Sequence, residues 1–154
     1  MPKPAKPKPA ILLVEDDPDD VFFMEQAFKK NGESDALRVV RDGEEAVSYL
    51  QGEGAHADRS LHPMPSLILL DLKLPRKSGL EVLEWCRRHP ATRRIPVIVL
   101  TASQADADIN RAYELGANSY LVKPIDSGAQ QEMVRAVLEY WIGYNKVSGI
   151  AAYR

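Results

Sequence analysis

Apolar residues recur along this chain with two spacings. Short runs dominated by Ile, Leu and Val occupy residues 11–14, 37–40, 67–71, 97–101 and 119–122, with the length and side-chain types of strands. The segments between them bring apolar residues back every third or fourth position, the period of an amphipathic helix. Their alternation predicts βα units around a parallel sheet.

The polar punctuation agrees with that reading. Asp17 is placed to cap a helix that Pro18 can begin, and Phe22, Phe23, Gln26 and Ala27 continue its pattern to a stop at Asn31-Gly32. Asp42-Gly43 opens a second helix that runs to about Leu50, and Ser78-Gly79 a third, ending at His89-Pro90. In the third, Leu80, Leu83 and Trp85 or Cys86 supply the apolar face. A fourth spans Asp106 to Leu115, stopped by Gly116. The fifth begins near Asp126, after Pro124, and reaches about Tyr144. Gln51 to Pro65 forms a long connection of the kind that is either functional or mobile.

Length bounds the architecture: 154 residues make one domain. Residues 1–9, alternating proline with lysine and alanine, favour extended solvated backbone and read as a disordered tail. The expected organisation is this tail, a domain over 10–145 and a C-terminal tail over 146–154. Twenty basic against 22 acidic side chains provide no positive field for nucleic acid or anionic lipid. No apolar run approaches the ~20 residues that span a bilayer. A single cysteine, Cys86, excludes an internal disulfide framework and fits the cytoplasm. His56, His62 and His89 are too scattered to argue as metal ligands.

Chemistry concentrates where the strands end. Glu15 and Asp16 follow the first run, Asp71 closes the third, Thr101 the fourth, and Lys123 follows the fifth. In parallel strands these ends share one edge, the crevice where open α/β sheets bind ligands. Asp71 would end a buried central strand, where a charge requires a partner. A hard cation such as Mg²⁺ would relieve repulsion between Asp16 and Asp71 and retain waters for a phosphate. A carboxylate in that setting can attack phosphorus to form an acyl phosphate, with the metal and Lys123 neutralising the phosphoryl oxygens.

The series ILLVEDDP, LILLDLKLPRKSGLEVL, VIVLTAS and YLVKP resembles the receiver domain of two-component response regulators over residues 10–143. The resemblance implies an α/β fold, a flavodoxin-like (βα)₅ doubly wound parallel sheet with strand order 2-1-3-4-5. It implies that Asp71 accepts the phosphoryl group, that Asp16 and Asp71 ligate Mg²⁺ directly, and that Glu15 acts on the metal through water. The Lys73 backbone carbonyl would complete the metal shell. Thr101 matches the switch hydroxyl, Ala102 the small residue beside it, Lys123 the phosphate-contacting lysine and Tyr120 the aromatic switch. The Lys123-Pro124 peptide is expected to be cis. The Lys73 side chain departs from the smaller or neutral residue expected there, and its ammonium becomes a candidate for tuning the lifetime of the acyl phosphate.

About ten residues remain after the fifth helix, too few for a DNA-binding or enzymatic domain, so output is expected from the 4-5-5 face of the domain itself. Val134, Val137, Leu138 and Trp141 make one apolar stripe on the fifth helix, with Met133, Tyr140 and Tyr144 off it. That excess predicts a homodimer through the helix and the tail from Val147 to Arg154. The long 51–65 connection, PRKSG, TASQADADI and the YW pair resemble small receivers paired with bacterial phytochromes, implying a sensor histidine kinase as phosphodonor. Two other readings remain: a phosphorylation-independent adaptor, and an aspartate-nucleophile phosphohydrolase. The second normally carries another acid two residues after the nucleophile, where this chain has Lys73.

Overall fold

The computed structural model describes residues 9–146. The expected tails at 1–9 and 146–154 therefore lie, except for Pro9 and Lys146, outside the described residues, as does the proposed dimer contact over Val147 to Arg154. Five parallel strands, β1 (Ile11–Val14), β2 (Leu37–Val40), β3 (Leu67–Leu70), β4 (Val97–Thr101) and β5 (Ser119–Val122), stand in the order 2-1-3-4-5. This is the flavodoxin-like arrangement, with Val14 level with Val40 and Leu70, and Thr101 with Val122. The carboxyl ends of β1 and β3, neighbours in the middle of the sheet, are thus brought side by side.

Helices α1 (Pro18–Lys30), α2 (Gly43–Gln51), α3 (Gly79–Arg88), α4 (Asp106–Glu114) and α5 (Ser127–Val137) cover both faces. Period-2 alternation sends Leu13, Leu69 and Ile98 to the side of α1 and α5, and Leu12, Ile68 and Leu70 to the side of α2 and α3. Burial on both faces explains why the central strands read as unbroken apolar runs.

Two helices differ in detail from the sequence reading. In α1 the inward stripe is Val21, Met24, Ala27 and Phe28, while Phe22 and Phe23 are 57% and 43% exposed. The Asp17 cap, which accepts from the Asp19 and Asp20 amides, fixes the helix phase and turns both phenylalanines outward. Beyond α5, Leu138–Tyr144 continues as a π-helical stretch. Met133, expected off the buried stripe, packs against the core with Val134, Val137 and Leu138.

The connection from Gln51 to Pro65 is pinned down. Arg59 donates to the carbonyls of Tyr49, Leu50 and His62, and the rings of His56 and His62 lie 5.0 Å apart against Tyr49. No helix among the described residues is long and apolar enough to cross a membrane.

Candidate functional site

The sheet ladder continues past the strand ends and fixes the backbone of each central site residue. The Glu15 amide donates to Val40 (3.0 Å), the Asp71 amide to Val14 (3.1 Å) and the Lys123 amide to Thr101 (2.8 Å). The β3–α3 turn is packed just as closely: a Cβ on Gly79 would lie 2.1 Å from the Asp71 carbonyl oxygen. Only glycine permits that approach.

Three carboxylates meet at this edge. Glu15 and Asp71 are buried and Asp16 is exposed, with one oxygen from each lying within 4.8 Å of the others. Hard oxygen donors so spaced suit a divalent cation such as Mg²⁺. The Lys123 ammonium faces them, donating to Glu15 Oε1, to Asp71 Oδ2 at 2.9 Å and to Asp20 Oδ2 at 2.8 Å.

The electrostatics follow from burial against pairing. Burial pushes the Glu15 carboxyl up to about 7, against the pull of Lys123. Burial acts on Asp71 in the same sense, but there the Lys123 hydrogen bond and charge prevail and hold the carboxyl below its ordinary value. Desolvation works against the Lys123 charge, yet hydrogen bonds to Asp20, Glu15 and Asp71 carry its pKa above the usual lysine value. Burial and pairing thus push the two buried acids in opposite directions, Glu15 up and Asp71 down.

The hydroxyl Oγ1 of Thr101 is buried with no hydrogen-bond partner among the described residues, yet near enough to Asp71 to help hold its carboxyl low. Ala102 beside it is exposed. Tyr120 is half-buried, and its hydroxyl donates to the Ser103 carbonyl at 3.0 Å. The Ser103 hydroxyl in turn donates to Asp108 in α4. The Lys73 amide donates to Asp71 Oδ1 at 3.3 Å, and its side chain is exposed. The Lys123-Pro124 peptide is trans, contrary to the cis expectation; its geometry is the one most X-Pro bonds adopt.

The response regulator receiver domain matches residues 11–136. The chain belongs to that family. Receiver domains are signalling proteins that work with histidine kinases and bind a divalent cation in an acidic pocket. This receiver is 42% identical over 142 residues to the probable methanogenesis regulatory protein FilR2 of Methanothrix harundinacea, covering 92% of this chain and 88% of the relative. It is 38% identical over 138 residues to response regulator Rcp1 of Synechocystis sp., covering 90% and 92% of the two chains. The Mn²⁺-bound form of Rcp1 superposes with a TM-score of 0.82 at 36% identity, over 92% of this chain and 100% of that one. The phosphorylated cyanobacterial phytochrome response regulator RcpA gives a TM-score of 0.85 at 35% identity, over 92% and 99%. Its structural neighbours thus include phytochrome response regulators.

Sequence reasoning placed Glu15, Asp16, Asp71, Thr101 and Lys123 at this edge, and the structure brings them together. It passed over Asp20, absorbed into the acidic start of α1. A signal existed, because Asp20 lies four residues before Met24 and so extends the inward stripe of the helix toward the site.

Proposed function

We propose that this receiver acts as a single-domain response regulator in the cytoplasm, taking a phosphoryl group from the phosphohistidine of a sensor histidine kinase onto Asp71. An Asp71 carboxylate oxygen attacks phosphorus in line. The bond from phosphorus to the donor nitrogen breaks, its electrons return to the imidazole, and an acyl phosphate results. Lys123 neutralises charge on the phosphoryl oxygens. Asp16, Asp71 and the Lys73 carbonyl would hold Mg²⁺, with Glu15 acting through water; when bound, the ion supplies positive charge against the same oxygens.

One observation carries this reading: beside the Asp71 carboxylate the buried Thr101 hydroxyl has no hydrogen-bond partner among the described residues. A buried donor without an acceptor is costly, and a phosphoryl oxygen on Asp71 would supply one. Drawing Thr101 toward that oxygen would act on the β4–α4 loop, where Ser103 joins Tyr120 to Asp108, and so bias the 4-5-5 face between two states.

Exposed Tyr140 and Tyr144, 55% and 71% accessible in the π-helical stretch that continues α5, favour a homodimer through this C-terminal helical segment. The similarity to RcpA and Rcp1 favours a phytochrome-type kinase as donor, and nothing in the charge balance favours nucleic acid. The site is tested by intact-mass spectrometry after incubation with acetyl phosphate, with and without Mg²⁺. One Mg²⁺-dependent phosphate on wild type and none on Asp71→Asn is expected. A fold-intact wild type that takes no phosphate and no beryllofluoride would turn the reading to a phosphorylation-independent adaptor, and sustained turnover of p-nitrophenyl phosphate to a hydrolase. Lys73→Asn with an unchanged dephosphorylation rate would remove the ammonium from any role in acyl phosphate lifetime.

A further inference from the structure

Lys123 carries three N–H donors, and three carboxylates take them: Glu15, Asp20 and Asp71. Two of these acids belong to the ends of β1 and β3. The third comes from the first turn of α1, and its inward aim requires an account. Asp17 already caps that helix, accepting from the Asp19 amide at 2.8 Å and the Asp20 amide at 3.4 Å. The Asp20 carboxylate has no capping task, and unlike the exposed Asp17 and Asp19 it is half-buried. It shares with Glu15 and Lys123 a recess that Leu13, Met24 and Leu100 also line, apolar walls that strengthen a charged hydrogen bond.

We propose that Asp20 is a positioning residue of the phosphoryl site, holding the Lys123 ammonium on the α1 side so that one of its N–H groups always points at Asp71. This rests on the reading of Asp71 as phosphoryl acceptor. When the acyl phosphate forms, the Asp71 carboxylate loses its own charge and releases its share of Lys123. The donor it frees then faces the new phosphoryl oxygens, provided the ammonium stays where it was. Glu15 anchors the ammonium from the β1 side alone, and a lysine on four rotatable bonds needs a second anchor to keep a direction. Asp20 supplies that anchor from an element that carries none of the three carboxylates clustered for a cation.

The test measures beryllofluoride, a phosphoryl mimic, and Mg²⁺ separately on the full chain by calorimetry, with thermal melts confirming the fold of each variant. Asp20→Ala is expected to weaken beryllofluoride binding at saturating Mg²⁺ by about tenfold, the scale of one charge-assisted hydrogen bond. Mg²⁺ affinity without beryllofluoride should stay within about twofold, because Asp20 is not placed among its ligands. Asp20→Glu, which keeps charge and acceptor, should recover most of the loss, and Asp20→Asn, which keeps only an acceptor, part of it. If Asp20→Ala binds beryllofluoride as well as wild type or better, Asp20 is only a repelling charge and the proposal fails. It fails too if Mg²⁺ affinity falls in step. A wild type that binds no beryllofluoride would overturn the reading of Asp71 along with this one, whereas a binding wild type beside an unaltered Asp20→Ala overturns this one alone.

Discussion

The Tyr120 hydroxyl donates to the Ser103 carbonyl at 3.0 Å, tying β5 to the loop that follows Thr101. The same residue is tied to α4 by its side chain, the Ser103 hydroxyl donating to Asp108. Tyr120→Phe removes the first tie and keeps the ring. Amide exchange across residues 102–105 should quicken, with global stability falling by about 1 kcal/mol or less. Unchanged exchange would show that the loop is held by Asp108 alone.

Lys123→Ala should leave Glu15 and Asp71 buried without their base. Breaking a buried pair costs more than the pair contributes, and with Lys123 only partly enclosed we expect a loss of about 2–3 kcal/mol in metal-free urea unfolding. Mg²⁺ should restore more stability to this variant than to wild type, since the cation then answers charges that lysine answers otherwise. Equal gains would place the ion elsewhere.

Gly79→Ala puts a methyl 2.1 Å from the Asp71 carbonyl oxygen, where backbone must give way. A destabilisation of about 1–3 kcal/mol is expected. Because the displaced backbone carries Asp71, the proposed acceptor, phosphorylation by acetyl phosphate should slow even well below the melting temperature.

Cys86 gives a pH test. Burial pushes its thiol up to about 12 from an unfolded value near 9. Between those limits the folded chain keeps a proton that the unfolded chain has lost, so this group's contribution makes stability fall as pH rises from about 9 to 12. The difference in stability between wild type and Cys86→Ala should therefore shrink or reverse across that window. At pH 8 the native thiol should resist a disulfide reagent that labels it at once in denaturant.

Much of this was readable in the chain because strands buried on both faces appear as apolar runs, and polar residues closing such runs are conspicuous. The runs ending before Glu15, at Asp71 and at Thr101 mark the site without any helix being placed correctly. The orientation of α1 was harder to read. Phe22 and Phe23 drew the eye inward by hydrophobicity, while the rotation is set by which oxygen caps the first turn, a one-residue difference that swings the face by about 100°. That error also hid Asp20, whose inward aim depends on the same rotation. The packing of Arg59 and the two histidines over Tyr49 leaves no periodic trace at all, since it is made within an irregular connection.

Lys123 stands 108 residues from Glu15, 103 from Asp20 and 52 from Asp71 along the chain. During synthesis the acids therefore leave the ribosome long before the base that gathers them, and β5 is the last strand to reach the sheet. Until then the growing chain carries an acidic edge without the ammonium that answers it. On the proposed role of Asp71, a copy lacking the final strand and the lysine that follows it would hold its acceptor without the base that faces the phosphoryl oxygens, and the site is complete only once that strand is made.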